Sequence, residues 1–353
     1  MKISIGANII DGPWGGGNLF YKNLSNFLKI NDIQVVYNLE HNDIDIILLT
    51  DPRYLSESSA YTHTDIALYK KLVNPKVVVV HRINECDERK GTKNLNNLII
   101  KANNIADATV FVSNWLKELF FQLDFRNRAT ATVIYAGADK KIFNNKGIEK
   151  WNKAKKLKIV THHWGTNNNK GFKIYQKLDQ LLNNTEMKNR FEFTYIGNIP
   201  KNLVFRNTNI IKPLEGIDLS NELKKNNVYL TASLNEPSGN HHIEGAQCGL
   251  PLLYVDNGGV AEYCKGYGIP FSEKGDDFEL CLEKMYSEFD SYFNKIIKYN
   301  KNSEKMCIEY LNLFNSLLHK KNFTNYSNRG LVFFKVYSRI KILLKRLITY
   351  DYF

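Results

Sequence analysis

The chain has 353 residues, 43% hydrophobic and 24% charged, the make-up of a folded protein with room for two cores rather than one. Its formal net charge of +12, with an isoelectric point near 9.2, suits an anionic partner (nucleic acid, a membrane surface or a phosphorylated small molecule) without choosing among them. The five scattered cysteines (Cys86, Cys248, Cys264, Cys281, Cys307) form no C-x-x-C pair, which argues against a disulfide framework or a zinc site, and no apolar run reaches the roughly 20 residues of a spanning helix.

The opening "MKISIGANII" lacks a signal peptide's layout and enters a strand-like run at residues 3–7, so a cytoplasmic protein is expected. Further short apolar runs predict strands at 34–37, 44–49, 76–80, 109–112 and 132–135. Segments of helical period at 19–28, 95–105 and 115–123 separate several of them. Residues 139–156 are polar and rich in Lys and Asn, a linker. The pattern then restarts, with strands at 157–161, 191–196, 228–230 and 252–255 and helices at 171–182 and near 243–248. Such alternation builds parallel sheets covered on both faces. The expectation is an α/β protein of two doubly wound, Rossmann-like domains, 1–150 and 151–300, facing across a cleft, with helices in 301–353. Ligands of such sheets bind beyond the carboxyl ends of the strands, so motifs just after strands carry most weight.

Four such motifs stand out. In "DGPWGGGNLFYKNLSNFL" (11–28), Gly15, Gly16 and Gly17 let backbone approach a ligand, and the following helix points its first N–H groups at a phosphate or sugar hydroxyl. The spacing is not G-x-G-x-x-G, so the dinucleotide fingerprint is absent. In "VVVVHRINECDERKG" (77–91), His81 falls at the end of a buried strand, as a working group or as a cap on its own strand, and Arg82 and Glu85 belong to the same crevice. In "IVTHHWGTNNNKGFKIYQKL" (159–178), Lys170 sits at a helix start, where the dipole disfavours a cation. That placement suits a group holding an anion, or else a lysine on a solvated turn. In "NEPSGNHHIEGAQCGLPLLYVDNGG" (235–259), Pro237, Ser238 and Gly239 break the chain, and a helix starts near Asn240. The N–H groups from Gly239 through Asn240 and His241 to His242 are candidates to grip a diphosphate. Glu236, just before the helix, and Glu244, inside its first turns, are candidates to accept from sugar hydroxyls.

Other chemistries fit less well. His241 and His242 are adjacent and diverge by roughly 100° on a helix, and no H-E-x-x-H occurs, so no metal site is expected. Ser238 lacks a G-x-S-x-G elbow. Asp43 and Asp45 spell D-x-D but run into the apolar "IDIILL", which makes them strand-edge residues. No helix-turn-helix or aromatic-interleaved basic motif points to nucleic acid.

Glu236 and Glu244 also stand in the E-x7-E spacing of family 4 retaining glycosyltransferases (glycosyltransferases group 1), which the chain resembles. "PWGGGN", "VVVVH", "VFVSNWL" (110–116), "VIYAGAD" (133–139), "THHW…NKGF" and "YIGN" (195–198) resemble the same family in the same order over most of residues 1–270. The resemblance implies a GT-B fold, a nucleotide-sugar donor held mainly by the second domain, and transfer with retention, without metal or cofactor. It implies that Glu244 bonds the ribose and Glu236 the donor sugar near the reacting carbon. Lys170 would neutralise the diphosphate with backbone amides near Asn240 and His241, helped by His162 or His163, and Gly197 would close a donor-side strand. Gly16 and Gly17 would approach the donor from the first domain, and His81 would contact the sugar or orient the acceptor. One departure is Trp164, which stands where many members place an arginine before that lysine. The expected acceptor is a glycan or lipid-linked saccharide, in bacterial-type surface polysaccharide synthesis. A nucleotide-sugar epimerase or hydrolase on the same fold is the rival reading. A non-catalytic binder would not need Lys170 and both glutamates together.

In the tail "GLVFFKVYSRIKILLKRLITYDYF", Phe333, Val336, Tyr337, Ile340, Leu343, Leu344 and Leu347 repeat at helical spacing, with Lys335, Arg339, Lys341, Lys345 and Arg346 on other faces. Such a stripe serves a helix crossing back onto the first domain, or one lying peripherally on an anionic membrane.

Overall fold

The computed structural model of the chain describes residues 1–10, 15–126, 128–319 and 327–350, the side chains of 346–350 apart. Residues 11–14 of the glycine-rich motif, and the side chains of Arg346 and Leu347, lie outside the described residues.

Short Val- and Ile-rich strands without polar alternation must be covered on both faces, and here they are. The first sheet comprises β1 (Lys2–Ile5), β2 (Gln34–Val36), β3 (Ile46–Leu49), β4 (Val78–Ile83), β5 (Ala108–Phe111) and β6 (Ala131–Val133), in the order β2-β1-β3-β4-β5-β6. Its helices are α1 (Gly15–Ile30), α2 (His63–Leu72), α3 (Asp87–Lys90), α4 (Leu95–Asn103) and α5 (Asn114–Phe121). The second sheet comprises β7 (Leu157–His163), β8 (Phe191–Gly197), β9 (Asn209–Ile211), β10 (Val228–Thr231), β11 (Leu252–Val255) and β12 (Gly268–Phe271), in the order β12-β11-β10-β7-β8-β9. Around it lie α6 (Phe172–Leu181), α7 (Thr185–Arg190), α8 (Gly216–Lys224), α9 (Asn240–Gln247) and α10 (Val260–Cys264), followed by α11 (Phe278–Ile296). All pairings between these strands are parallel. In each sheet the order reverses once, between β1 and β3 and between β7 and β10. The carboxyl ends at those two places define the crevices where ligands bind.

The expectation of short strands meets one correction of consequence. The Val77–Val80 run continues through His81 and Arg82 to Ile83, and all six residues of β4 are buried. Residues 139–156 are irregular but not loose: Phe143 and Trp151 are buried, and Trp151 packs edge-on to Tyr286 and Phe289.

The last two helices return to the first domain. In α12 (Ser303–Leu318), Met306, Cys307, Tyr310 and Phe314 enter the core around Ile3 and Ile5, with Tyr310 5.3 Å from the ring of Phe20 on α1. In α13 (Asn328–Tyr350), Gly330 allows the close approach to α2, since a Cβ there would lie 1.6 Å from the Leu72 carbonyl oxygen. Phe334 meets Tyr69 edge-on at 5.6 Å, and Lys341 Nζ pairs with Asp65 at 2.6 Å above the Tyr54 ring. The helix therefore docks through Leu331, Phe334, Tyr337, Lys341 and Lys345, the last donating to the Ser56 carbonyl oxygen, and not through the rest of its apolar stripe. Val332, Phe333, Val336, Ile340, Leu343 and Leu344 face outward, each at least 51% exposed. Among the described residues no helix is long and apolar enough to cross a membrane.

Candidate active site

The second-sheet reversal point sets the site. β7 ends at His163 and β10 at Thr231, and the loops leaving them carry Lys170 and Glu236. Lys170 closes a 3-10 turn, Asn168–Lys170, before α6. Gly239 caps α9 with φ +69, a left-handed value open to glycine. A Cβ there would lie 2.8 Å from the His242 ring and 2.9 Å from Glu236 Cγ, so this glycine also lets Glu236 fold over the helix start. The result is a carboxylate, an ammonium group and a set of unpaired helix N–H groups around one crevice.

Glu236 is 6% exposed and doubly paired: Lys170 Nζ donates to Oε2 at 3.0 Å and Arg89 Nε to Oε1 at 2.8 Å. Burial alone would push its carboxyl up, but Lys170 and Arg89 outweigh burial and hold it well below the usual carboxylate range. Arg89 comes from α3 of the first domain, so this cluster joins the two domains. Its NH1 also reaches both oxygens of Glu85, at 3.1 and 3.2 Å. Sequence reasoning missed Arg89, because its partner lies 147 positions away and no periodicity connects them.

Glu244 lies one helical stretch deeper, 5% exposed, with Oε2 2.8 Å from His162 Nε2; His162 Nδ1 lies 3.0 Å from the Tyr229 hydroxyl. The other histidines pack beside it. His163 Nε2 is 2.7 Å from the Tyr175 hydroxyl, and His241 Nε2 is 2.8 Å from Thr231 Oγ1. The His163 and His241 rings lie 4.6 Å apart and the His241 and His242 rings 5.0 Å. Burial, with Lys170 adding for His163 and His163 for His241, holds both well below the ordinary histidine value, so these rings are neutral. His242 is fully buried, neither ring nitrogen has a hydrogen-bond partner, and burial lowers it to about 3. Among the described residues no group of three or more His, Cys, Asp or Glu is placed to hold a metal ion.

Of the remaining expected residues, Gly16 and Asn240 meet across the cleft: a Cβ on Gly16 would lie 3.0 Å from the Asn240 side chain. Gly17 faces Tyr21 instead, its nearest neighbour there being the hydroxyl at 3.9 Å. Gly197 ends β8 against β7 with φ +138, where a Cβ would overlap the His163 carbonyl oxygen at 1.9 Å. Beside it, His162, His163, Trp164, Gly197 and Leu214 line a shallow surface depression. The expected strand end at His81 requires correction. The residue lies within β4 rather than at its end, 1% exposed, with Nδ1 2.9 Å from Asn103 Oδ1, and burial lowers it to about 4. The buried strand continues two residues past it, and the His81 ring meets Asn103 at the end of α4. Arg82 is likewise buried, its guanidinium 3.9 Å over the Phe20 ring, whereas Glu85 reaches the crevice through Arg89. Asp43 and Asp45 hold the strand edge, pairing with Lys2 Nζ and with its backbone N–H at 2.7 Å.

The two domains touch again at Glu262 of α10, whose carboxylate accepts from the N–H groups of Asn114 and Trp115 at the start of α5 and from the Tyr135 hydroxyl.

No family model matches the chain, and no curated protein does. Solved structures do match in fold. Anabaena HepE in complex with UDP and glucose aligns with TM-score 0.62 at 13% identity, covering 89% of this chain and 99% of that one. Sucrose-phosphate synthase from Thermosynechococcus elongatus aligns with TM-score 0.68 at 12% identity, covering 91% and 100%. The lipopolysaccharide outer core galactosyltransferase WaaB, in its apo form, aligns with TM-score 0.62 at 13% identity, covering 90% and 99%. At these identities the likeness is one of fold, and it is the GT-B fold: two parallel α/β domains facing across a cleft.

Proposed function

We propose that the chain is a retaining, metal-independent glycosyltransferase that moves a sugar from a nucleotide-sugar donor to a glycan or lipid-linked saccharide, in surface polysaccharide synthesis of bacterial type. The observation that carries this reading is the meeting of Lys170, Glu236 and the start of α9 at the reversal point of the second sheet, with Glu244 behind them. The fold shared with a structure that holds UDP and glucose supports it.

In this reading the diphosphate lies on the first N–H groups of α9, near Asn240 and His241, with Lys170 alongside. Glu236 accepts from donor sugar hydroxyls and Glu244 from the ribose. The sugar–phosphate bond breaks, the electron pair leaves with the diphosphate, and Lys170 and the amides stabilise the growing charge in a site short of water. The acceptor hydroxyl attacks on the face the diphosphate vacates and gives its proton to the departing oxygen, which preserves the anomeric configuration. In this reading Glu236 accepts from sugar hydroxyls and does not serve as a covalent nucleophile. No group of the protein requires a cofactor for these steps.

Transfer assays with a panel of nucleotide sugars, with and without acceptor and with chelator, test the reading. Lys170→Ala and Glu244→Ala are each expected to reduce turnover by about 100-fold or more while remaining folded. Near-normal turnover by either variant contradicts the assignment, and rapid conversion of donor without acceptor favours the epimerase or hydrolase reading.

The reading extends to the membrane. The outward stripe of α13 is apolar, Arg329 and Arg339 are exposed on the same helix, and the chain is strongly basic, which suits an anionic bilayer carrying a lipid-linked acceptor. Full-length protein is expected to sediment with phosphatidylglycerol vesicles, and protein ending at Asn328 to remain in solution. Equal binding by both, or no vesicle binding by either, removes the membrane role.

A further inference from the structure

We propose that Arg89 is a second cation of the diphosphate site, supplied by the first domain, and that Glu236 positions it. The inference rests on the donor-site reading above and adds a residue from the opposite side of the cleft.

The geometry is specific. Arg89 and Lys170 come from different domains and meet on opposite oxygens of one carboxylate, at 2.8 and 3.0 Å. Glu85 also accepts from Arg89, but it is shared with Lys90 at 3.1 Å. Three cations therefore face two carboxylates, and the cluster keeps a net positive charge where its α9 side already favours an anion. A diphosphate offers anionic oxygens in a geometry that the planar fork of a guanidinium can bridge. When donor hydroxyls take over Glu236, both cations can turn from it to the diphosphate. The site is then complete only when the two domains meet, which couples cleft closure to the anion.

A purely mechanical role for Arg89, as a tie between domains, is the competing account, and the structure supplies a control. Asn169 Nδ2 donates to the carbonyl oxygens of Glu88 and Arg89, at 3.1 and 3.0 Å, and so ties the same two elements without contributing charge.

The test is calorimetric titration of inorganic pyrophosphate into the full-length protein and its Arg89→Gln, Arg89→Lys, Lys170→Gln and Asn169→Ala variants. Pyrophosphate affinity is expected to fall about tenfold or more in Arg89→Gln and in Lys170→Gln, since each loses a charge-assisted hydrogen bond. Asn169→Ala is expected to stay within about twofold of the parent, as its two neutral bonds are lost without any change in the charge facing the anion. If Arg89→Gln does not fold, Arg89→Lys carries the test: it keeps the charge, loses the fork, and should bind about threefold more weakly. Parent-like binding by the Arg89 variants beside a weakened Lys170→Gln overturns the Arg89 inference alone. An Asn169→Ala loss as large as that of Arg89→Gln overturns it too, by showing closure to be the cause. Parent protein that does not bind pyrophosphate, or a Lys170→Gln variant that binds it normally, sinks the diphosphate reading itself.

Discussion

Lowering the pH from 7 to 5 is expected to destabilise the fold, because four histidines are built into it in neutral form. His81, His163, His241 and His242 are 1, 3, 8 and 0% exposed. Burial is the largest cause in each case: it lowers His81 to about 4 and His242 to about 3, and holds His163 and His241 well below the ordinary value. In the unfolded chain each titrates near 6.5. Below that pH the unfolded chain takes up protons that the folded one does not, so stability rises with pH, is fully present above 6.5 and is lost as the pH falls below it. A histidine that stays neutral in the folded state contributes about 2 kcal/mol to this loss between pH 7 and 5. Three of the four pack in one cluster, so their shares do not simply add, and about 2 kcal/mol is the least to expect. Glu236 lies outside this window: its depressed carboxyl contributes stability above the unfolded value of 4.5 that is lost only as the pH falls below it. The assay is denaturant unfolding at pH 7, 6 and 5 for the parent protein and for His242→Leu. The variant removes no hydrogen bond, since His242 makes none, and it should show a pH dependence shallower by about 2 kcal/mol over the same window. Stability that is flat or rises towards pH 5, or an identical slope in His242→Leu, refutes the reasoning.

Other expectations follow from the same geometry. Glu236→Gln leaves Arg89 and Lys170 facing a neutral amide and should cost about 3 kcal/mol as well as most of the turnover. A parent-like melting temperature would show that the cluster adds nothing to stability. Gly239→Ala places a Cβ 2.9 Å from Glu236 Cγ at positive φ, which should cost at least about 1 kcal/mol and weaken donor binding by shifting that carboxylate; unchanged donor affinity would separate Glu236 from the donor.

Much of this architecture was legible because parallel strands advertise themselves. "IDIILL" and "VVVV" have no polar alternation, and a helix start after Pro-Ser-Gly placed Glu236 and Glu244 on either side of the first turn of α9. The edge strands of the first sheet, β2 and β6, were legible as apolar runs, but those of the second sheet were not. β9 is three residues long, two of them exposed, and β12 contains Pro270, which an edge strand tolerates but which breaks the expected pattern. His81 was misplaced because a polar residue after four valines reads as a strand end. In the fold, Asn103 satisfies its ring inside the sheet's helix layer, and the strand runs on. Arg89 was invisible for a different reason: its position in "DERK" reads as an ordinary basic residue at a helix end, and only the apposition of two domains brings Glu236 to it. For α13 the periodicity was legible but left the direction of the stripe open, because Gly330, Phe334 and Lys341, rather than the longer apolar stripe, make the contact with α2 and its cap.

The most direct measurement is a crystal structure of the protein with a nucleoside diphosphate bound. It should show the terminal phosphate on the first N–H groups of α9 with Lys170 Nζ in hydrogen-bond reach, the ribose hydroxyls at Glu244, and no cation bridging the phosphates. A nucleotide seated away from α9, or one held through a divalent cation, would contradict the central claim.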